Sequence, residues 1–472
     1  MDKLITHSVE VNEQFNPVKE FPDLFPNETP TKLPPLRKIN HKINLIPGAT
    51  WKPVRYYSHD RFRDQVSEKI NRETKTGRMY PAPNTSNVVN SFSKPKKDGR
   101  IRFLLDCVPR NKVTIKDKTP LPNMDQLIEW IANKKFWSKL DLVDGYHNIR
   151  MDPDSEQYTT FLTHRGQYNS RVMQQGDCNA PATMMKVMQD IFSEEVYRNL
   201  VIYLDDIIIA TDSYEEHVRM VRLVLNKLRD EGFYLNTEKC QFLTKRLEVL
   251  GHIITHEGLS ADPAKISKVM EFKIPHNKKL LQAFIGIVNY LGKFCPKLAS
   301  VAAPLTDLQG STTVWRWTDM HTKSFEECKA LINSNEVINP INYESTDPIY
   351  LITDASDIGV GAWLGQGPNI ESLRPARFYS KKLNPAQLNY STKNKELLAI
   401  IAAVKFFEPQ IRGVKFTILT DHKPLVTFME KAQAEQKTRR WQAMLSEHDC
   451  TIQHIEGVTN ILVDYLSRKH KY

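Results

Sequence analysis

Residues 201–210 read VIYLDDIIIA, with two adjacent acids, Asp205 and Asp206, inside a run whose β-branched and apolar neighbours describe a buried strand. An unpaired carboxylate in apolar surroundings costs several kcal/mol, so the pair must be exposed at a turn or neutralised by cations. A tight bend between two short strands would bring both carboxylates to a sheet edge, where two divalent cations about 4 Å apart could be held. A hairpin turn with two solvated acids is the alternative. Upstream, WSKLDLVDGYHNIRM places a third acid, Asp141, directly after apolar Leu140 on another predicted strand. Three carboxylates on two neighbouring strands form an oxygen donor set suited to Mg²⁺.

The chain around this stretch is long and mixed. Its 472 residues are 40% hydrophobic and carry a formal charge of +10, with 65 Lys and Arg against 55 acids. That length implies several domains, and the dispersed basic excess suits a polyanion. Cys107, Cys178, Cys240, Cys295, Cys328 and Cys450 are far apart with no CxxC pair, so neither a zinc knuckle nor a disulfide framework is indicated. No apolar window approaches the span of a bilayer, and MDKLITHSVE lacks a signal-peptide pattern. An intracellular protein that is not membrane-bound is expected.

The first 60 residues, rich in proline and charge, read as an extended arm with a strand near Ile43 to Ile46. From Val88 to Asp106 two apolar runs flank Lys97-Asp98-Gly99, a hairpin with a tip of Lys94, Lys96, Lys97, Arg100 and Arg102. Helices are expected near Met124 to Asn133 and Ala180 to Glu194, with a strand near Phe136 to Leu142. After VIYLDDIIIA, Ser213 and Glu216 read as a capping box opening a helix with Val218, Val221, Leu225 and Leu228 on one face. His217 on that helix reads as a surface residue. Ala261 to Leu308 is mainly helical, and a boundary falls between about Gly310 and Asp347. Beyond it, Ile349 onward alternates strands and helices in an α/β pattern with its own core. There Asp354 ends a strand, Glu396 lies in the first turns of a helix, Asp421 follows another strand, and Asp464 comes late in HIEGVTNILVDYLSR.

Tyr203-Leu204-Asp205-Asp206 resembles the Tyr-x-Asp-Asp box of reverse transcriptases. LDLVDGYHNIRM, TTFLTHRGQY, NAPATM, YEEHVRMVRLVL, LNTEKCQFL, VLGHII, GLSADPAKI, FIGIVNYLGKF and APLTDL follow in the order seen in gypsy-type LTR-retrotransposon polyproteins. The resemblance runs from about Leu33 to the C-terminus. It implies an α/β, multi-domain α+β fold: a right-hand polymerase of fingers, palm and thumb followed by a ribonuclease H-like domain. The corresponding segments are 1–86 for the arm and start of the fingers, 87–258 for fingers and palm, 259–310 for a helical thumb, 311–346 for a tether and 347–472 for the nuclease. The polymerase acids are then Asp141, Asp205 and Asp206. Tyr146 matches the aromatic gate against a ribose 2′-hydroxyl, Lys96 and Arg102 the grip on the incoming triphosphate, and Gln175 a nucleotide-contacting glutamine. Leu250, Gly251 and His252 correspond to the primer grip, while Lys265, Lys268, Gln282 and Asn289 fall on thumb helices that track the duplex, with a plain surface role as the alternative for each.

In the second unit the order strand-Asp, helix-Glu, strand-Asp, late Asp resembles ribonuclease H, giving Asp354, Glu396, Asp421 and Asp464 as metal ligands. His454 and Asn460 stand ten and four residues before Asp464, the spacing of ribonucleases H in which a histidine assists product departure. The resemblance further implies two Mg²⁺ per site, with Mn²⁺ as a substitute, and RNA template, DNA primer, RNA:DNA hybrid and deoxynucleoside triphosphates as partners. It also implies a cytoplasmic location within virus-like particles; dimers occur among such proteins, but no patch in the sequence identifies an interface. Cys107 and Val108 replace the usual aromatic and arginine, and Gln174, Gln175 and Asp177 depart from the usual residues around Gly176. Val463 and Tyr465 replace usual alanines. The rival reading is a decayed or domesticated copy that binds nucleic acid without catalysis. Seven intact acids argue against it, because clustered carboxylates without metal repel one another.

Overall fold

The computed structural model describes residues 15–26, 32–53, 60–95, 99, 101–120, 122–196, 198–295, 298–310, 312–334, 337–357, 359–430 and 436–456. Two compact units divide the chain, one of Met1–Leu127 with Lys134–Leu247 and the other of Ile128–Asn133 with Glu248–Tyr472. Both mix helix and sheet, as the α/β expectation requires.

The first unit carries β1 (Met79–Pro81), β2 (Val89–Pro95), β3 (Ile101–Asp106), β4 (Phe136–Asp141), β5 (Phe161–Thr163), β6 (Gly166–Ser170), β7 (Leu200–Tyr203), β8 (Asp206–Thr211) and β9 (Gln241–Thr244). One sheet runs β1-β6-β5-β2-β3, the other β7-β8-β4-β9. The basic hairpin forms as expected, with Lys94 directly opposite Arg102 in the β2–β3 ladder. Lys96, Lys97 and Arg100 lie outside the described residues.

The VIYLDDIIIA stretch becomes the β7–β8 hairpin, buried because α-helices Ala180–Ile191 and Tyr214–Asp230 contribute to the same core as its isoleucines. In the second helix Val221, Val224, Leu225 and Leu228 are buried. Ser213 Oγ accepts from the Glu216 amide at 3.3 Å, but the Glu216 carboxylate accepts from Asn199 Nδ2 at 2.8 Å, so the reciprocal half of the expected capping box is diverted.

His217 is not at the surface. It is 0% exposed, with Nε2 2.7 Å from Ser138 Oγ and Nδ1 2.9 Å from Thr211 Oγ1. Two hydroxyls on the facing sheet accommodate a polar ring that helical periodicity alone would assign to solvent. Nor does the arm simply extend: Phe15, Phe21, Leu24 and Phe25 enter the core of the β7-β8-β4-β9 sheet, anchored by short proline-started turns. Burial of aromatic side chains needs no long regular element, so proline content misleads here. The strand expected at Ile43 to Ile46 is reduced to isolated bridges, His41 with Met151 and Leu45 with Thr114.

The second unit contains β10 (Leu247–Val249), β11 (His252–Thr255), β12 (Gly258–Ala261), β13 (Ile349–Ala355), β14 (Gly359–Gln366), β15 (Arg374–Lys382), β16 (Phe416–Thr420) and β17 (Cys450–His454). A small sheet runs β10-β11-β12 and a larger one β15-β14-β13-β16-β17, in which β16 is parallel to both β13 and β17. Helix Thr392–Ile411 shares the core of the larger sheet through Leu397, Ile400, Val404 and Phe407. Helices Pro263–Met270 and Lys278–Leu291 bear out the helical reading after Ala261. Residues 311–346 are more than a tether, since Asp319–Asn333 is an α-helix that buries Phe325, Cys328 and Ile332. Among the described residues no helix is long and apolar enough to cross a membrane.

Candidate functional site

In the first unit, antiparallel pairing sets Asp141 of β4 directly opposite Asp206 of β8, while Tyr203 pairs with Asp206 across the hairpin. Leu204 and Asp205 form the turn, and Leu204 has φ +57°. Two-residue hairpin turns need positive φ to match strand twist, and a leucine held there costs ~1–2 kcal/mol. The packing around the turn holds it against that cost, which leaves Asp205 and Asp206 at the strand end. Behind the turn the Leu204 amide meets Met185 Sδ at 3.4 Å.

The three acids differ in their surroundings. Lys239 Nζ lies 3.2 and 3.4 Å from the two oxygens of Asp141, and Lys139 Nζ lies 2.9 Å from Asp206. Asp205 Oδ1 is buried with no hydrogen-bond partner among the described residues. Burial first, then the charges of Asp206 and Asp141, push the Asp205 carboxyl up to about 6. Tyr146 is pushed up to about 12, first by burial and then by the Asp205 charge. Gly145 makes room for the acids: a Cβ there would sit 3.2 Å from Asp205 Oδ1 and 3.0 Å from Met184 Cε. An orphaned, buried carboxylate oxygen beside two further carboxylates fits a hard divalent cation. Lys139, Lys239 and Gly145 were not singled out from sequence, because each is defined by what it faces.

Around this centre, Arg102 is exposed on β3, where it and Lys94 place like charges face to face. Such a pair is destabilising by itself and suits a polyanionic ligand. Gln175 is exposed in the loop before helix Ala180–Ile191, and its neighbour Gln174 is buried. Lys96 lies outside the described residues.

In the second unit, Ile352 of β13 pairs with Leu419 of parallel β16. Asp354 and Asp421 each lie two residues further on, so the register brings them to the same end of the sheet. Glu396 reaches them from helix Thr392–Ile411. Ligand oxygens of Asp354, Glu396 and Asp421 all lie within 4.8 Å of one another, and both Asp354 and Glu396 are buried. This trio is the tightest carboxylate grouping among the described residues; the acids of the first unit are in register but do not close to that span. Donor chemistry and burial fit Mg²⁺ or Mn²⁺ here as well. His454 ends β17 opposite Thr420, next to Asp421, but is not one of that group. Asp464 and Asn460 lie outside the described residues.

The residues expected to grip a primer also converge. Leu250 and Gly251 form a left-handed turn, φ +50° and +78°, before buried His252. Tyr290 Oη donates to the Leu250 carbonyl at 3.0 Å, while Lys265 Nζ sits 3.6 Å above the Tyr290 ring. Tyr290 was missed, although it adjoins the expected Asn289; its role comes from the turn it holds. Gln282 and Asn289, seven residues apart, lie on the exposed face of helix Lys278–Leu291, and Lys268 is exposed on the preceding helix.

Comparison with known proteins agrees with this architecture. Residues 94–254 match the family model for reverse transcriptase (RNA-dependent DNA polymerase), and residues 344–448 match that for the RNase H-like domain found in reverse transcriptase. The Transposon Tf2-3 polyprotein of Schizosaccharomyces pombe is 33% identical over 456 residues, 95% of this chain and 34% of that protein. The Retrovirus-related Pol polyprotein from transposon 297 of Drosophila melanogaster is 35% identical over 406 residues, 86% of this chain and 38% of that one. The chain thus spans about a third of the length of the curated relatives it matches. A foamy viral protease-reverse transcriptase in complex with dsDNA superposes with TM-score 0.82 at 20% identity, covering 96% of each chain. The same viral protein bound to an RNA/DNA hybrid gives 0.74 at 20% identity, covering 96% of this chain and 62% of that one. Polymerase and RNase H-like domains therefore stand in one chain. It belongs to the reverse transcriptase and ribonuclease H region of Ty3/gypsy-type LTR-retrotransposon polyproteins.

Proposed function

We propose that this chain copies RNA and DNA templates into DNA and degrades the RNA strand of the resulting hybrid, serving retrotransposon replication. The observation that carries the reading is Asp205, a half-buried carboxylate whose orphaned Oδ1 is buried and whose charge is opposed by those of Asp206 and Asp141. Such an arrangement is unfavourable unless a cation completes it. Asp141, Asp205 and Asp206 would hold two Mg²⁺ in the first unit, and Asp354, Glu396, Asp421 and Asp464 two more in the second. When bound, the cations make a 3′-hydroxyl or a water nucleophilic and stabilise the leaving oxygen.

The chain's own residues then do the selecting. Tyr146, beside Asp205, closes the space a ribose 2′-hydroxyl would need. Lys94 and Arg102 attract the triphosphate, together with Lys96. The Leu250–His252 turn, stiffened by Tyr290, holds the primer end. Recognition of a duplex through backbone and shape makes binding independent of sequence and sensitive to salt.

The test follows both strands of a DNA primer on a 5′-labelled RNA template, with Mg²⁺ or Mn²⁺. Primer lengthening with template shortening is expected. Asp205→Asn should stop only the first and Asp421→Asn only the second. A protein that shifts the hybrid in a gel while neither strand changes would establish binding without catalysis instead.

A further inference from the structure

Beneath the Gln175 loop lies a buried polar network that the proposed chemistry does not use. Arg110, 0% exposed, sits in the short helix Val108–Asn111. One terminal nitrogen donates to the Tyr158 carbonyl at 2.9 Å and to Gln174 Oε1 at 3.0 Å. The other donates to the same Gln174 oxygen at 3.0 Å and to the Asp177 carboxylate. The second Asp177 oxygen is 3.3 Å from His41 Nε2, and His41 Nδ1 is 2.9 Å from Thr183 Oγ1. Gln174 Nε2 donates to the Thr159 carbonyl at 2.9 Å.

Both roots of the loop, Gln174 and Asp177, are therefore held by one guanidinium, while Gln175 and Gly176 between them stay exposed. Asn111, next to Arg110, adds a second clamp: its Nδ2 donates to the Gly176 carbonyl at 2.8 Å and its Oδ1 accepts from the Cys178 amide at 3.1 Å. Gly176 has φ +108°, and a Cβ there would come within 3.5 Å of the Leu105 carbonyl on β3, the strand that bears Arg102. On the loop's other side the Met173 amide donates to the Ile149 carbonyl at 2.8 Å, and the Ile149 amide to the Tyr146 carbonyl at 3.2 Å. The loop thus packs close to the strand carrying Arg102, and the segment leading into it is hydrogen-bonded toward the turn carrying Tyr146.

A buried ion pair gives little net stability compared with apolar side chains of the same volume. What a planar guanidinium supplies, and an apolar contact does not, is direction: it fixes two acceptors at once. We infer that Arg110, Gln174 and Asp177 are positioning residues that set the Gln175–Gly176 loop against an incoming deoxynucleoside triphosphate. The inference rests on the polymerase reading above.

Single-nucleotide incorporation by the whole chain tests it, with the burst amplitude on a pre-bound primer–template reporting the amount of folded first unit and ribonuclease H activity that of the second. The double variant Arg110→Leu with Asp177→Leu removes both buried charges together, and Arg110→Lys keeps the charge without the fork. Both should leave RNA cleavage and kcat for incorporation near wild type while raising KM for the nucleotide about ten-fold or more. Loss of folded first unit alone would lower the burst amplitude and the apparent kcat together at constant KM. A wild-type KM in either variant, with cleavage intact, overturns the inference while the polymerase reading stands. If the unaltered chain fails to extend a primer, the polymerase reading falls, and the inference with it.

Discussion

His217→Gln should flatten the acid side of the stability profile of the first unit. The hydrogen-bond pattern defines a neutral ring: the Thr211 hydroxyl donates to the Ser213 carbonyl, so it accepts from Nδ1–H. Ser138 Oγ accepts the Leu243 amide at 3.1 Å, leaving its hydrogen for Nε2. Burial holds the imidazole down at about 4 from the ordinary 6.5. Below 6.5 the unfolded chain takes up a proton that the folded chain refuses until about 4. The stability contributed by the neutral ring is therefore complete above pH 6.5 and is lost as pH falls through that window. With the side chain fully buried, the loss between pH 7 and 4.5 amounts to ~2.5 kcal/mol. Native-state hydrogen exchange of the amides in Asp206–Thr211, measured without divalent cations, reads it locally. Glutamine keeps an acceptor for Ser138 but cannot be protonated, so the variant should start less stable at pH 7 and fall by ~2.5 kcal/mol less on acidification. An equal fall in wild type and variant would refute both the burial and the tautomer argued here.

Two further substitutions probe the sites. Leu204→Ile puts a β-branched residue at φ +57° and should weaken exchange protection of β7 and β8 by ~1 kcal/mol or more, whereas Leu204→Met, which keeps the apolar packing against the core without a branch at Cβ, should not; equal behaviour of the two would remove the strain argument. Gly251→Ala places a Cβ 1.9 Å from Lys265 Nζ at a left-handed position, which must displace the lysine from the Tyr290 ring. Fluorescence anisotropy should then show several-fold weaker binding of a primer–template duplex, about 1 kcal/mol, and an unchanged affinity would detach this turn from the duplex.

Much of this protein is legible in short segments of its sequence. The β7–β8 hairpin, the β2–β3 hairpin, the amphipathic helix Tyr214–Asp230 and the strand-end positions of Asp354 and Asp421 each follow from local periodicity and turn chemistry. The acids of both sites could be named because each sits in its own short motif. Tertiary structure alone decided how those charges are balanced. Lys239 meets Asp141 across 98 residues and Arg110 meets Asp177 across 67, and no local pattern encodes either pair. The burial of His217, the descent of Phe15, Phe21 and Phe25 into the core, and the support of Leu250 by Tyr290 belong to the same class. Backbone conformation responds mainly to neighbours in the chain. Burial, desolvation and charge compensation respond to whatever the fold brings alongside, which for these residues lies far away in sequence.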